Sequence, residues 1–129
     1  TPLYSSAASD VYKRQRCVKS HEYIFLFTKS KQYYFNADAI RIKDVRRSSV
    51  WSLNTASLKE AHFAVFPNEL PALCIKAGSR EGDTVLDPFM GSGTTALVAQ
   101  ELGRKWIGIE LNPEYIEIIK RRTAQTQLF

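Results

Sequence analysis

The 129-residue sequence has 44% hydrophobic and 24% charged residues and a formal net charge of +5. This composition excludes an intrinsically disordered chain, and no apolar run is long enough to cross a membrane. Two cysteines without a CxxC spacing exclude a disulfide framework and favour a reduced, cytoplasmic setting. Residues 1–60 hold 11 Lys or Arg against 5 Asp or Glu, whereas residues 61–129 hold 7 against 8. A basic half beside a neutral half indicates either a polyanionic partner or a solvated charged face.

The N-terminal end differs in character from the rest. Residues 5–15 resemble translated sequencing-adapter sequence, so residues 1–15 are expected to be a non-native or disordered leader. An ordinary N-terminal tail is the alternative. We expect the remainder to divide into residues 16–60 and residues 61–129, because the charge balance changes there.

The first half is predicted to hold little regular structure. Residues 22–28 are rich in aromatic and branched side chains and predict a buried strand, followed by a polar turn at residues 29–32. Residues 33–35 and 49–53 each predict a short strand. The many charges elsewhere in residues 36–60 predict a loop region.

The second half carries clear helix and strand signals. A helix is predicted from Asn68 to Ala77, with Asn68 as its N-cap and Gly78 as its C-cap. Its buried face is predicted from Leu70, Leu73, Cys74 and Ala77, which lie at positions i, i+3, i+4 and i+7. The rest reads as strand 84–87, loop 88–93, helix 94–102 ended by Gly103, strand 106–110, and a helix from Pro113 to about residue 123. This alternation predicts parallel strands joined by crossover helices in an open α/β sheet.

The loop Asp87-Pro-Phe-Met-Gly-Ser-Gly-Thr-Thr95 is the strongest functional signal. It follows a strand and opens a helix, at the carboxyl end of the sheet where ligands bind. Gly91 and Gly93 permit a sharp turn and a close approach of the backbone to a ligand. Glu110 ends the next strand 23 residues after Asp87, a separation that suits an acid contacting ribose hydroxyls. Two threonines, Thr94 and Thr95, are expected to cap the helix and to donate hydrogen bonds.

Several ligands are compatible with such a turn. Gly91-x-Gly93-x-x-Ala96 also matches a weak dinucleotide pattern, and a turn that binds nothing is the remaining alternative. Asp87 argues against a pyrophosphate, since at ~4 Å and an effective dielectric near 20 the repulsion is about 4 kcal/mol per charge pair. No lysine follows the second glycine, which excludes a Walker A loop. S-adenosylmethionine carries a sulfonium and an ammonium and no phosphate, so the acids favour it.

These segments resemble the DNA methyltransferases that modify the exocyclic amine of adenine (N6) or cytosine (N4). The loop 87–95 resembles the family's cofactor loop, and residues 108–115 resemble its ribose-binding segment. Residues 62–70 are similar to the segment that covers the methionine end of the cofactor. Residues 20–27 resemble the strand region that follows the catalytic motif. Because the cofactor loop comes late, the order resembles the C-terminal part of the permuted β class.

The resemblance implies a partial Rossmann-like methyltransferase fold, an open and mostly parallel sheet with flanking helices. Residues 16–60 would be a remnant of the catalytic half with a target-recognition loop, and residues 61–129 the S-adenosylmethionine-binding half. The family's tetrapeptide Asp/Asn/Ser-Pro-Pro-Tyr/Phe does not occur in the sequence, so this chain is expected to be inactive alone and no catalytic residue is predicted.

The expected substrate is a flipped base in double-stranded DNA. The resemblance also implies a bacterial, archaeal or phage origin, a homodimer and a companion restriction endonuclease as further partners, and no membrane. An RNA or small-molecule methyltransferase, or a non-catalytic nucleic-acid-binding fragment, stays open as an alternative.

Two sets of site residues follow from the loop and the resemblance. The predicted cofactor-binding residues are Asp87, Pro88, Phe89, Gly91, Ser92, Gly93, Thr94, Thr95, Glu110, Asn112, His62 and Phe63. The predicted nucleic-acid contacts, which are basic side chains beside the expected target-recognition region, are Arg41, Lys43, Arg46 and Arg47. No metal site is predicted.

Overall fold

The structure, a computed structural model, describes residues 21–54 and 66–125. The chain divides into two units, Thr1–Lys31 and Gln32–Phe129. The expected leader at residues 1–15 and the predicted cofactor contacts His62 and Phe63 lie outside the described residues. In the described ranges, no helix has the length and apolarity that a bilayer crossing requires.

The first unit does not contain the strand predicted at residues 22–28. The rings of Tyr23 and Phe25 lie 6.0 Å apart and those of Phe25 and Phe27 lie 6.1 Å apart, a contact between alternate positions that is typical of extended backbone. A strand also needs a hydrogen-bonded neighbour, and no strand in the described part of the chain pairs with this one. The predicted turn after it is confirmed as a run of bends at residues 29–32.

The second unit contains the α/β series predicted for the second half of the sequence. A short 3₁₀ helix at Asp38–Ile40 comes first. The main elements are α1 (Glu69–Gly78), β1 (Thr84–Asp87), α2 (Thr94–Glu101), β2 (Lys105–Gly108) and α3 (Pro113–Gln125).

The two strands pair in parallel, as predicted. The register sets Val85 opposite Trp106 and Asp87 opposite Gly108, with α2 as the crossover between the strands. Strand β2 is shorter than the predicted 106–110, so Glu110 lies in the connection that follows it. Ile109 donates the last hydrogen bond of the ladder to the Asp87 carbonyl, at 3.0 Å. Both strand ends therefore open on the same edge of the sheet, with the loop after β1 beside the segment after β2.

The core lies between one face of this sheet and helix α2. Val98 and Ala99 are buried and pack with Ile75 of α1, and Val85 and Trp106 of the sheet cover them. A second cluster joins Met90, Ala96 and Ile119, again against Trp106, so α3 packs under the loop that follows β1.

Helix α1 forms where predicted, but parts of its predicted detail are wrong. Cys74 is exposed and Ile75 is buried, because the helix packs on two sides. Leu73 and Ala77 contact Ile40, whereas Ile75 joins the α2 cluster, so the single predicted stripe describes only one of the two contacts.

The ends of α1 also differ from the prediction. The Asn68 side chain makes no capping hydrogen bond; its backbone carbonyl accepts the N–H of Ala72 at 3.1 Å. Gly78 is the last helical residue, and the chain leaves through extended backbone at Ser79, whose hydroxyl donates to the Ile75 carbonyl at 2.7 Å. A left-handed glycine is therefore not needed at this end.

Residues 32–54 form no strand, so the short strands predicted at 33–35 and 49–53 are wrong. The apolar side chains in this segment serve packing instead, since Trp51 and Leu53 cover the cluster around Ile40. The Asn36 N–H donates to the Ala77 carbonyl at 2.8 Å, which attaches the segment to the end of α1. Aromatic and branched residues satisfy a strand pattern and a packed loop equally well.

Candidate functional site

Asp87 ends β1 at the edge of the sheet where both strands open. Its half-buried carboxylate accepts the Phe89 N–H at its Oδ1 atom, at 2.9 Å. This contact turns the chain out of the strand and holds the carboxylate at the strand tip. No hydrogen bond within the described residues uses its Oδ2 atom, which is available to a ligand.

Glu110 joins the loop after β1 to the segment after β2. Its Oε2 atom accepts the Gly91 N–H and its Oε1 atom accepts the Asn112 N–H, each at 2.8 Å. We call this pair of hydrogen bonds the Glu110 clasp. Carboxylate acceptors make stronger hydrogen bonds than neutral ones, so the clasp fixes the position of the loop relative to β2. The predicted contact between Glu110 and a ribose stays a prediction.

The two loop glycines have different surroundings. Gly91 has φ +54°, and a Cβ there would meet only the Phe89 carbonyl oxygen, at 4.0 Å. Gly93 has φ +85°, and a Cβ there would lie 2.8 Å from Cγ1 of Ile119. Gly91 therefore leaves space for a ligand, whereas Gly93 allows α3 to pack against the loop.

Gly108 is a third glycine at a close approach, and this packing role was not predicted from the sequence. A Cβ at this position would overlap the Met90 side chain, which is only 4% exposed beneath the loop. A glycine in the middle of a predicted strand often marks a place where another part of the chain lies close to the backbone, and Met90 does so here.

Thr94 and Thr95 start α2 but do not cap it, so that expectation is wrong. The N-cap is Gly93, whose carbonyl accepts the Leu97 N–H at 3.0 Å. Both threonine side chains are buried, with Thr94 only 2% exposed. Arg122 of α3 approaches the start of α2, where its Nη1 lies 3.4 Å from the Thr94 Oγ1.

Arg122 is a site residue that the sequence analysis did not identify. Its Nη1 also donates to the Ser92 carbonyl at 2.7 Å and to the Ser92 hydroxyl at 3.1 Å. Partial burial lowers the pKa of its guanidinium, and the Glu101 carboxylate opposes that shift. The signal available in the sequence was its position three residues after Ile119, on the same face of α3.

Phe89 lies in the loop and is 89% exposed, so it is not part of the core that the described residues form. Pro88 beside it is exposed as well. Contact between the Phe89 ring and a cofactor stays a prediction. The Asn112 side chain is used locally, since its Oδ1 accepts the Glu114 N–H at 3.0 Å and caps α3.

Tyr115 lies near the second strand end. Partial desolvation raises the pKa of its phenol, and the carboxylates of Glu110 and Glu114 add to this increase because they disfavour a nearby tyrosinate. In the described ranges, no group of three or more His, Cys, Asp or Glu side chains gathers to hold a metal ion.

The four basic residues predicted to contact nucleic acid fall into two groups. Arg41 donates from Nε to Asp38 at 2.7 Å and from Nη1 to the Asp44 carbonyl at 3.1 Å. Arg47 is half-buried; its Nε donates to the Ile40 carbonyl at 3.1 Å and its guanidinium lies over the Trp51 ring. Both side chains therefore hold the segment 38–51 together.

Lys43 and Arg46 are exposed, as Arg41 is. Lys43 lies within, and Arg46 directly follows, a tight turn in which Ile42 and Val45 exchange backbone hydrogen bonds of 3.0 and 2.9 Å. Lys43 and Asp44 both have left-handed backbone, with φ 47° and 63°. We call residues 42–46 the basic turn. Arg41 stabilises this turn through its hydrogen bond to the Asp44 carbonyl, whereas Lys43 and Arg46 are the exposed basic side chains that the turn itself carries.

Comparison with known proteins identifies close relatives. The family model described as DNA methylase, of the N6/N4 methyltransferase type, matches residues 5–121. Type II methyltransferase M.SmaI of Serratia marcescens is 48% identical over 116 residues, which cover 84% of this chain and 40% of the relative. Type II methyltransferase M.Cfr9I of Citrobacter freundii is 47% identical over 114 residues, with 84% and 38% covered. The chain therefore spans about two fifths of the length of these relatives.

Two solved structures share the fold. The PvuII DNA methyltransferase (cytosine-N4-specific) has a TM-score of 0.67 at 28% identity and covers 74% of this chain and 38% of its own. The M1.HpyAVI–SAM complex has a TM-score of 0.58 at 34% identity, with 70% and 44% covered. The expected fold, a partial α/β methyltransferase sheet with parallel strands and flanking helices, is confirmed.

Proposed function

The chain belongs to the N6/N4 DNA methylase family, and from that premise we propose that its residues 61–129 are the S-adenosylmethionine-binding half of a site-specific DNA methyltransferase. The whole enzyme transfers a methyl group to N6 of adenine or N4 of cytosine in a base flipped out of double-stranded DNA. Because this chain spans about two fifths of its curated relatives, the activity and the DNA substrate of the whole protein are part of the proposal.

The Glu110 clasp is the main observation in favour of S-adenosylmethionine as the cofactor. The Gly91 N–H, which a dinucleotide's pyrophosphate would use, already holds a carboxylate at 2.8 Å. A phosphorylated ligand would have to displace that carboxylate and also approach Asp87, with a repulsion of about 4 kcal/mol per charge pair at ~4 Å. A ligand with a sulfonium and an ammonium meets attraction from the same two acids.

The residues around the loop fit S-adenosylmethionine in shape as well as charge. Gly91 leaves open space above the turn, and the exposed Phe89 ring offers an apolar surface beside it. Asp87 would hold a cationic or hydroxyl group of the ligand through its Oδ2 atom. When bound, S-adenosylmethionine supplies a methyl group activated by its sulfonium.

If this chain supplies the cofactor site and the catalytic motif lies elsewhere in the whole enzyme, its behaviour alone can be predicted. The family's catalytic tetrapeptide, which binds the target amine, does not occur in the sequence. Holding the amine in line with the methyl group is mainly a matter of orientation. We therefore expect this chain to bind S-adenosylmethionine and to transfer no methyl group by itself.

Calorimetric titration of the full 129-residue chain with S-adenosylmethionine tests the cofactor assignment. Asp87→Asn removes the charge at the strand tip, and we expect binding to weaken by about tenfold or more. Asp83→Asn is the matched control, because Asp83 precedes the same strand and its Oδ2 accepts the Arg80 N–H at 2.7 Å, as Asp87 accepts the Phe89 N–H. The control should change the affinity by less than about twofold.

Two results would contradict the proposal. Equal affinity of the wild type and Asp87→Asn for S-adenosylmethionine would show that the Asp87 charge does not contribute to binding. Binding of NAD in place of S-adenosylmethionine would show that the loop accepts a pyrophosphate, against the argument from the Glu110 clasp.

The basic turn is the part of the chain that we propose contacts the DNA backbone. Lys43 and Arg46 are exposed there, whereas Arg41 and Arg47 are engaged within the protein. Removing the side chain that neutralises one phosphate lowers the salt slope of duplex binding by about one. The double variant Lys43→Ala/Arg46→Ala should therefore lower the slope by about two.

A single variant of an exposed lysine on α1, Lys76→Ala, is the control for the loss of net charge. It should leave the salt slope close to that of the wild type. If the salt slope falls by the same amount per charge removed from the basic turn and from α1, the attraction to DNA is non-specific. That result would contradict a phosphate contact at the basic turn. A companion restriction endonuclease and a homodimer stay predictions.

A further inference from the structure

We propose that Arg122 is a positioning residue, which helps the Glu110 clasp to hold the cofactor loop in its binding conformation through a separate contact, at Ser92. This inference rests on the proposed function of that loop. Arg122 lies in α3, near the C-terminal end of the helix, and it reaches a segment 30 residues earlier in the chain. It contacts both the backbone and the side chain of Ser92 in the loop.

One nitrogen makes all of these contacts. Nη1 donates to the Ser92 carbonyl at 2.7 Å, to the Ser92 hydroxyl at 3.1 Å and towards the Thr94 hydroxyl at 3.4 Å. A guanidinium Nη carries two hydrogens, so it serves the Ser92 and Thr94 acceptors together. The contacts therefore fix the loop and the first turn of α2 at once.

The loop needs such an anchor because of its composition. Ser92 stands between two glycines with left-handed backbone, and glycine loses more conformational freedom than any other residue when it is ordered. The Glu110 clasp fixes the Gly91 N–H on one side, and Arg122 fixes the Ser92 carbonyl on the other. A loop that is ordered before binding saves the ligand the ordering cost, so the loss of either anchor weakens binding.

Arg122 is one of several contacts that hold α3 in place. Ile119 is buried with Met90 and Ala96, and this apolar contact holds the helix against the loop. A polar contact away from the loop joins the same two helices, since Gln100 Nε2 donates to the Thr123 carbonyl at 3.0 Å. The chain therefore offers a matched pair of α2–α3 hydrogen bonds, one at the loop and one remote from it.

The experiment compares Arg122→Met, Arg122→Lys and the control Gln100→Met in the full chain. Calorimetry gives the affinity for S-adenosylmethionine, and urea unfolding gives the stability. We expect Arg122→Met to bind about tenfold more weakly or worse, since a charge-assisted hydrogen bond is worth that much. Arg122→Lys keeps a donor and should restore part of the affinity. Gln100→Met should lose stability and keep the affinity of the wild type.

Hydrogen exchange at the amides of residues 91–94, measured without any ligand, is the second readout. Arg122→Met should speed exchange there by about tenfold relative to Gln100→Met. Wild-type affinity in Arg122→Met, an equal loss of affinity in Gln100→Met, or unchanged exchange in the loop would each overturn the proposal. If the wild type does not bind S-adenosylmethionine, the proposed function fails, and the exchange measurement still decides whether Arg122 orders the loop.

Discussion

The substitution Gly93→Ala tests whether the second loop glycine serves helix packing. Two costs are expected from the structure. Left-handed backbone at φ +85° costs a non-glycine residue about 1–2 kcal/mol. The new Cβ would lie 2.8 Å from Cγ1 of Ile119, and overpacking of this kind costs about 1–3 kcal/mol. The expected loss in unfolding free energy is therefore about 2–5 kcal/mol, measured by urea unfolding followed by circular dichroism.

Gly91→Ala is the control, because it introduces the same Cβ into the same loop with nothing close to it. At φ +54° it carries the backbone cost alone, about 1–2 kcal/mol. In the Gly93→Ala background, Ile119→Ala should cost less than it does in the wild type, with a coupling of about 1–3 kcal/mol. Equal losses at the two glycines, together with no coupling to Ile119, would refute the packing argument.

Three further predictions concern the strand ends and α3. Glu110→Ala should lower the unfolding free energy by about 2–3 kcal/mol, because two backbone N–H groups lose a charged acceptor; unchanged urea unfolding would contradict this. The pKa of the Tyr115 phenol is raised by desolvation and by the carboxylates of Glu110 and Glu114. The protonated phenol therefore contributes fully to stability below the ordinary tyrosine pKa, and this contribution is lost as the pH rises through the folded-state pKa. Glu114→Gln should lower the midpoint of the tyrosinate absorbance change, identified by difference from Tyr115→Phe, and a fixed midpoint would count against the assigned cause. The pKa of Glu117 is lowered by its hydrogen bond to Lys120, so the contribution of this pair to stability is present above the ordinary glutamate pKa and is lost as the pH falls through the lowered one. Because both side chains are exposed, Lys120→Ala should shift the urea midpoint only slightly at neutral pH, and a large shift would contradict this reasoning.

The second half of the fold was predictable because its signals are local. Pro113 begins α3, Gly103 follows α2, and β1 has the predicted bounds. Each of these signals acts through the backbone of its own neighbourhood. The strands predicted at 22–28 and 33–35 failed, because a strand depends on a hydrogen-bonded partner that its own sequence does not specify.

The candidate site shows the same limit. Asp87 and Gly91 were predicted from the loop pattern; the structure has Asp87 at the end of β1 and Gly91 in the loop that follows, and their contact with a cofactor stays a prediction. The Glu110 clasp and the contact of Arg122 were not predicted, since they join segments 19 and 30 residues apart. Such contacts follow from how helices and strands meet, which a one-dimensional spacing rule does not contain.

The indole of Trp106 contacts both apolar clusters of the α/β unit, the one under α1 and the one beneath the glycine turn. A single natural chromophore is therefore in contact with the packing of α1 on α2 and with the packing beneath the glycine turn at the same time. Replacing Trp51 with phenylalanine would leave Trp106 as the sole source of tryptophan emission, and that emission would then report rearrangement of the turn without any attached dye.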